Sequence, residues 1–194
     1  MIKIKIKKKR LILMGILLLL TFAVTALVRV KADITYPLGN SRVNAGVYAT
    51  LGDACIFFNV LVLGAPWGAA VSVLGMVIAD IVVGSKLYII GTLLIKTAMA
   101  FFIASFCLRC DDWVKCFAVA AMAEAMMVLG YFVYDLVIVR EFAVAGKAFL
   151  VNLGQGAACT IAGGLILHFV PPVHPERLPQ VKRRAKKEDN GVWN

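Results

Sequence analysis

The chain has 194 residues, of which 61% are hydrophobic and only 16% are charged, and its mean hydropathy is +0.87. That composition supplies too little polar surface to cover a water-soluble globule of this length, so it excludes a soluble domain and predicts an integral membrane protein. The net charge of +10 is attributed to membrane topology and attraction to anionic lipid rather than to nucleic-acid binding.

Six apolar runs near the ~20 residues that cross a bilayer predict an all-α bundle of six transmembrane helices. In chain order they are 11–28, 49–63, 67–83, 88–106, 114–139 and 148–170. The first run follows a basic stretch, as in a signal peptide, but it is longer than the ~7–15 residues of a signal core, which favours a retained helix. Gly64, Ala65 and Pro66 leave room only for a tight turn, so the second and third helices are expected to be antiparallel.

Basic residues are distributed unevenly between the two sides of the predicted bundle. Fourteen Lys and Arg residues lie on the side of the two termini and six in the opposite loops, with Lys96 left inside the membrane. Positive charge favours the cytoplasmic side, so both termini are predicted to be cytoplasmic. This divides the chain into a basic N-terminus (1–10), a six-helix membrane domain (11–170) and a basic tail (171–194).

The five cysteines do not form a disulfide pattern. Cys107, Cys110 and Cys116 fall in a predicted cytoplasmic loop, where thiols stay reduced. Cys107 and Cys110 have the spacing of half a metal site, but no second pair or nearby His completes it. The sequence therefore predicts no metal site.

Three charged residues stand inside apolar segments, namely Asp53, Asp80 and Lys96. An ion in hydrocarbon costs at least a few kcal/mol, so such residues are candidates for function. Given the predicted orientation, all three lie in the outward half of the membrane, where they are candidates to contact a substrate. The alternative is that they only pair with one another and tie three helices together.

Helical periodicity places a second set of polar residues on two stripes. Steps of ~100° per residue bring Glu124, Tyr131 and Asp135 within ~40° of one another on the fifth helix. Asn152 on the sixth helix shares a stripe with small residues, and Gln155 lies at its edge. The two stripes are predicted to be facing walls of a pocket that opens to the outside and captures a small molecule.

The longest external connection is the loop 32–47. Its Gly, Pro and Asn residues are typical of turns, and its predicted position over the outer helix ends suits a lid. Asn44, near the end of this loop, is a further candidate to contact substrate.

Several motifs occur together in a fixed order. They are Asn44-Ala-Gly-Val-Tyr-Ala-Thr-Leu-Gly-Asp-Ala, Leu63-Gly-Ala-Pro-Trp-Gly-Ala-Ala, Ile78-Ala-Asp-Ile-Val-Val-Gly, Thr92-Leu-Leu-Ile-Lys and Val151-Asn-Leu-Gly-Gln-Gly. This set resembles the substrate-binding (S) components of energy-coupling factor (ECF) vitamin transporters, in the hydroxymethylpyrimidine and riboflavin branch. The resemblance covers about residues 45–164.

The resemblance implies a protein of the prokaryotic cell membrane that binds a vitamin or precursor from outside and is not itself an enzyme. It implies association with a membrane coupling subunit and two cytoplasmic ATPases, and no cofactor. The mixed polar residues of the predicted pocket fit a small heteroaromatic compound such as hydroxymethylpyrimidine or a pyridoxine-like molecule, and riboflavin fits the branch. The alternative is an autonomous ion-coupled carrier or a membrane enzyme in which Glu124, Asp80 and Lys96 transfer protons.

Overall fold

A computed structural model describes residues 8–38, 40–44, 46–107, 110 and 112–173. The described part contains six α-helices: α1 (Lys8–Leu27), α2 (Gly52–Leu63), α3 (Ala65–Val83), α4 (Ile89–Phe106), α5 (Trp113–Val139) and α6 (Phe142–Phe169). All of these except α2 are long and apolar enough to cross a membrane. The predicted helical bundle is confirmed. Most of the N-terminal basic run and most of the basic tail lie outside the described residues.

Four short strands lie between α1 and α2: β1 (Arg29–Lys31), β2 (Thr35–Leu38), β3 (Ser41–Asn44) and β4 (Tyr48–Thr50). They form two antiparallel pairs, β1 with β4 and β2 with β3. The segment predicted to be an irregular loop is therefore a pair of β-ribbons. We call the end of the bundle that carries these strands the ribbon end.

Two predicted helix boundaries are wrong. The second helix begins at Gly52 and not at 49, because 48–50 pair as strand β4 with Arg29–Lys31. The sixth helix begins at Phe142 and not at 148. Arg140 ends α5 in the left-handed conformation (φ 57°), so the chain turns within two residues and α6 gains almost two turns.

The tight turn predicted between the second and third helices is confirmed. Gly64 alone separates α2 from α3 and has a φ of 79°, which an L side chain rarely adopts. Pro66 follows in the first turn of α3, where its missing N–H costs no hydrogen bond. The resulting pair packs closely, because a Cβ at Gly68 on α3 would lie 2.7 Å from the Cα of Val60 on α2.

The core lies between α2, α4, α5 and α6. Its largest fully buried apolar side chains include Ile56, Phe57, Met99, Ile103 and Met127. On α6 the small residues allow close approach, since Gly163 faces the ring of Phe57 and Gly164 faces that of Phe117. Many Leu, Ile and Val side chains on the outer faces of the helices are exposed, as expected for surfaces that contact lipid. This packing leaves the ribbon end as the place where polar side chains gather.

Candidate functional site

A cavity lies at the ribbon end, between β4 and the helices. We call it the main cavity. Its lining combines residues from all six of the α-helices named above, the short 3-10 helix Lys86–Tyr88 and strand β4. The polar side chains that line it are Thr25, Tyr48, Thr50, Asp53, Asp80, Tyr88, Thr92, Lys96, Tyr131, Asn152 and Gln155.

The floor of the main cavity is built on a buried ion pair. The Lys96 Nζ lies 2.6 Å from Asp53 Oδ1 and 2.8 Å from Asp53 Oδ2. Gln155 Nε2 donates to Asp53 Oδ2 over 2.6 Å, and Gln155 Oε1 accepts from the Thr50 N–H over 2.9 Å. This network joins α2, α4, α6 and β4, so the floor and the covering strand are held by the same side chains.

One wall of the cavity is organised around Asp80 on α3. The Tyr48 hydroxyl donates to Asp80 Oδ1 over 2.5 Å, and the Thr92 hydroxyl donates to Asp80 Oδ2 over 2.6 Å. Burial, together with the nearby Asp80, raises the pKa of Tyr48, so Tyr48 remains a donor at neutral pH. Asp80 is therefore oriented by two neutral hydroxyls, and the ring of Tyr48 is held over the cavity.

Aromatic rings make up much of the remaining wall. Tyr131 on α5 shares a hydrogen bond of 2.9 Å with Thr92, and its ring lies edge to face with that of Tyr88, with 5.8 Å between centroids. The Tyr88 hydroxyl donates to Asp135 Oδ1 over 2.9 Å. Asp135 is buried behind Tyr88 and does not itself line the main cavity.

Glu124 lies behind the floor and does not line the main cavity. Its side chain is 1% exposed, and neither carboxyl oxygen has a hydrogen-bond partner among the described residues. Three potential metal-ligand atoms lie within 4.8 Å of one another, one each from Asp53, Glu124 and Cys159. No spacing pattern in the sequence predicts this cluster. The Lys96 ammonium already balances Asp53, which disfavours a second cation on that carboxylate.

A second, outer cavity lies under the ribbons. Asn44 lines this outer cavity and not the main one, and its Oδ1 accepts from the Gly46 N–H over 2.8 Å. Gly46, Val47 and Tyr48 line both cavities. The segment that enters β4 therefore separates the two spaces.

The structure brings together most of the residues predicted from the sequence. Six of the nine candidates line the main cavity: Asp53, Asp80, Lys96, Tyr131, Asn152 and Gln155. Asp53 and Lys96 pair with each other, whereas the oxygens of Asp80 accept hydrogen bonds from two hydroxyls.

Sequence reasoning missed several lining residues, including Tyr48, Thr50, Tyr88 and Thr92. Thr92 precedes Lys96 by four residues and so shares its helix face, which was a usable signal. The sequence pattern places Thr50 in the second helix and Tyr48 between that helix and the loop 32–47, and it does not reveal the strand that both residues form with Arg29–Lys31.

A family model described as the ECF-type riboflavin transporter S component matches residues 5–170. The chain belongs to this family. No curated protein and no solved structure matches the chain significantly. As an ECF S component it is a prokaryotic integral membrane protein that captures a vitamin for an ECF transporter, and it is a substrate-binding subunit rather than an enzyme.

Proposed function

We propose that the chain binds a small heteroaromatic vitamin or vitamin precursor in the main cavity and that hydroxymethylpyrimidine or a pyridoxine-like molecule is its cargo. The observation that carries the proposal is the cavity itself. It is closed below by the Lys96 and Asp53 pair and surrounded by hydroxyl, amide and carboxylate groups. A few placed polar groups in a concave site are what orients a small ligand.

The arrangement of polar side chains around the cavity favours a one-ring compound. Hydrogen-bonding side chains approach from several directions, which suits a compact ring with polar substituents better than a three-ring flavin with a sugar-alcohol chain. Riboflavin, which the family description names, is the comparison compound.

The direction of capture follows from the distribution of basic residues. With both termini in the cytoplasm, as the excess of Lys and Arg on their side predicts, the ribbon end faces outward. The outer cavity then forms the entrance, and the main cavity is reached past Tyr48 and its neighbours in both linings. Cargo release to the cytoplasm is assigned to the transporter's membrane coupling subunit and two ATPases, with which this chain would associate.

The proposal is tested by thermal unfolding of the chain, purified alone in detergent, with hydroxymethylpyrimidine, pyridoxine, riboflavin and other B vitamins. A ligand that binds only the folded state at a hundred times its Kd raises stability by ~2.7 kcal/mol. We expect a large shift with a one-ring compound and a smaller shift, or none, with riboflavin.

Matched variants show whether the shift comes from the main cavity. Asn152→Ala removes a buried amide that lines the cavity, and it should abolish most of the shift. Asn40→Ala changes an exposed amide near the ribbons and should keep it. An unchanged shift in Asn152→Ala, or no shift with any vitamin in the unmodified chain, would count against this site.

A further inference from the structure

Buried acidic side chains outnumber buried basic ones at the ribbon end. Asp53, Asp80, Glu124 and Asp135 are between 0% and 4% exposed. Lys96, at 4%, is the sole buried Lys, Arg or His side chain within the part of the chain that the structure describes. The four acids lie on α2, α3 and α5, so the imbalance comes from several elements that converge on one site.

The Lys96 ammonium is already paired with Asp53. Lys96 contacts both oxygens of Asp53, so its charge mainly offsets that carboxylate. Asp80 and Asp135 accept hydrogen bonds from neutral hydroxyls, which orient a carboxylate without cancelling its charge. An excess of buried negative charge has a high desolvation cost and must be offset by protons on the carboxyl groups or by a cationic ligand.

The cavity wall also has the components that bind organic cations. Three tyrosine rings, those of Tyr48, Tyr88 and Tyr131, line the same space as Asp80. The ring of Tyr131 already faces a cation, with the Lys96 Nζ 5.2 Å from its centroid. The negative face of an aromatic ring attracts positive charge, most strongly when the site is shielded from water. Each Asp80 oxygen keeps acceptor capacity beyond its single hydroxyl donor.

Resting on the vitamin-capture function proposed above, we propose that the main cavity selects a ligand that is a cation when bound. The chemical class is a small heteroaromatic ring that carries a protonated ring nitrogen or an ammonium group. Asp80 is the counter-ion, and the three tyrosine rings surround the positive charge. Lys96 remains on Asp53 and does not contact the cationic group.

The first experiment compares ligands of the same shape and different charge at pH 7, by calorimetry on the chain purified alone in detergent. One pair is pyridoxine and pyridoxamine. The other is hydroxymethylpyrimidine and its aminomethyl analogue, and riboflavin is the neutral reference. A hydrogen bond to a charged partner is worth enough that the ammonium member of a pair should bind about tenfold or more tightly.

Asp80→Asn tests the counter-ion, because it removes the charge with almost no change in shape. It should reduce the cation preference, which is the ratio of the affinities for the ammonium and neutral members of a pair, to near one. The control is Asp112→Asn, an acid that is half exposed at the start of α5 and outside the cavity lining. It should keep the preference of the unmodified chain.

A pH series on the unmodified chain tests the same idea without a variant. The titratable and charged groups that face the site are Tyr48, Asp53, Asp80, Tyr88, Lys96, Glu124, Tyr131, Asp135 and Cys159. Because protons compete with a cation for the carboxylates, affinity for the ammonium compounds should fall as the pH is lowered from 8 to 5. Affinity for a neutral ligand should change much less.

These experiments distinguish a failure of the proposed charge selection from a failure of the proposed capture site. If a vitamin binds but the neutral member of each pair binds as tightly as the cationic one, the charge selection is wrong and the capture function stands. The same conclusion follows if affinity for the ammonium compounds does not depend on pH. If no compound of either charge binds, the capture site itself is wrong, and the charge selection is lost with it.

Discussion

The ion pair of Lys96 and Asp53 is buried, so losing one partner should lower the free energy of unfolding substantially. The side chains of Lys96 and Asp53 are 5% and 0% exposed and lie 2.6 Å apart at their closest. Lys96→Met keeps the length of the side chain and removes its charge, leaving the Asp53 carboxylate buried with a hydrogen bond from the Gln155 amide. Breaking a buried pair from one side costs about 3–5 kcal/mol, because the remaining ion stays buried. We expect a loss of that size.

The assay is equilibrium unfolding of the purified chain in mixed detergent micelles with increasing SDS. The chain offers a matched control in Lys115, which lies 3.2 Å from Asp112 with about half of each side chain exposed. Because exposed pairs contribute little, Lys115→Met should be close to neutral. The double variant Lys96→Met with Asp53→Asn removes both charges and should recover a large part of the loss.

Two results would refute this reasoning. If Lys96→Met were no more destabilising than Lys115→Met, the burial of the pair would have no energetic consequence. If the double variant were as unstable as Lys96→Met, the loss would come from packing and not from an uncompensated Asp53 charge.

Three further predictions concern packing, a buried amide and pH. Gly68→Ala places a Cβ 2.7 Å from the Cα of Val60, and because this is a backbone contact, the variant should destabilise the chain by ~1–3 kcal/mol in the SDS titration. Its control is Gly154→Ala, which has nothing within 4 Å of the added Cβ and should be neutral or stabilising in the same titration. Asn59→Ala removes the amide that donates over 2.9 Å to buried hydroxyls on α1 and α3, and should cost ~1–3 kcal/mol by the same titration. Hydrogen bonds from the Lys115 backbone N–H and side chain lower the pKa of Asp112. The Asp112 carboxylate therefore stabilises the N-terminus of α5 at pH values above the pKa that Asp112 has in the unfolded chain. This stabilisation is lost as the pH falls through the lowered pKa of the folded chain. Hydrogen-exchange protection in the first turn of α5, measured relative to the intrinsic exchange rate at each pH, should fall over that acidic range, and Asp112→Ala should remove this change in protection.

Much of the candidate site could be predicted because charges in apolar segments are conspicuous. Asp53, Asp80 and Lys96 stand out in sequence since each has a high cost in hydrocarbon. Helical periodicity then selected Tyr131 and Asn152, which line the main cavity. The same periodicity could not separate Glu124 from Tyr131. Both residues lie on the same face of α5, but periodicity gives only the direction of a side chain and not its position relative to the cavity floor. The structure places Glu124 behind the floor.

The composition and the order of apolar runs determined the class of this protein: a helical membrane bundle with a tight turn at Gly64. These are local properties, set by hydrophobicity, glycine and proline chemistry and helix length. Tertiary structure decided which charges meet. Lys96 pairs with Asp53, whereas Asp80 accepts a hydrogen bond from Tyr48, which lies on a strand that pairs with β1. Such partners are more than thirty residues apart in the chain, and only the packing of strands on helices brings them within hydrogen-bond distance.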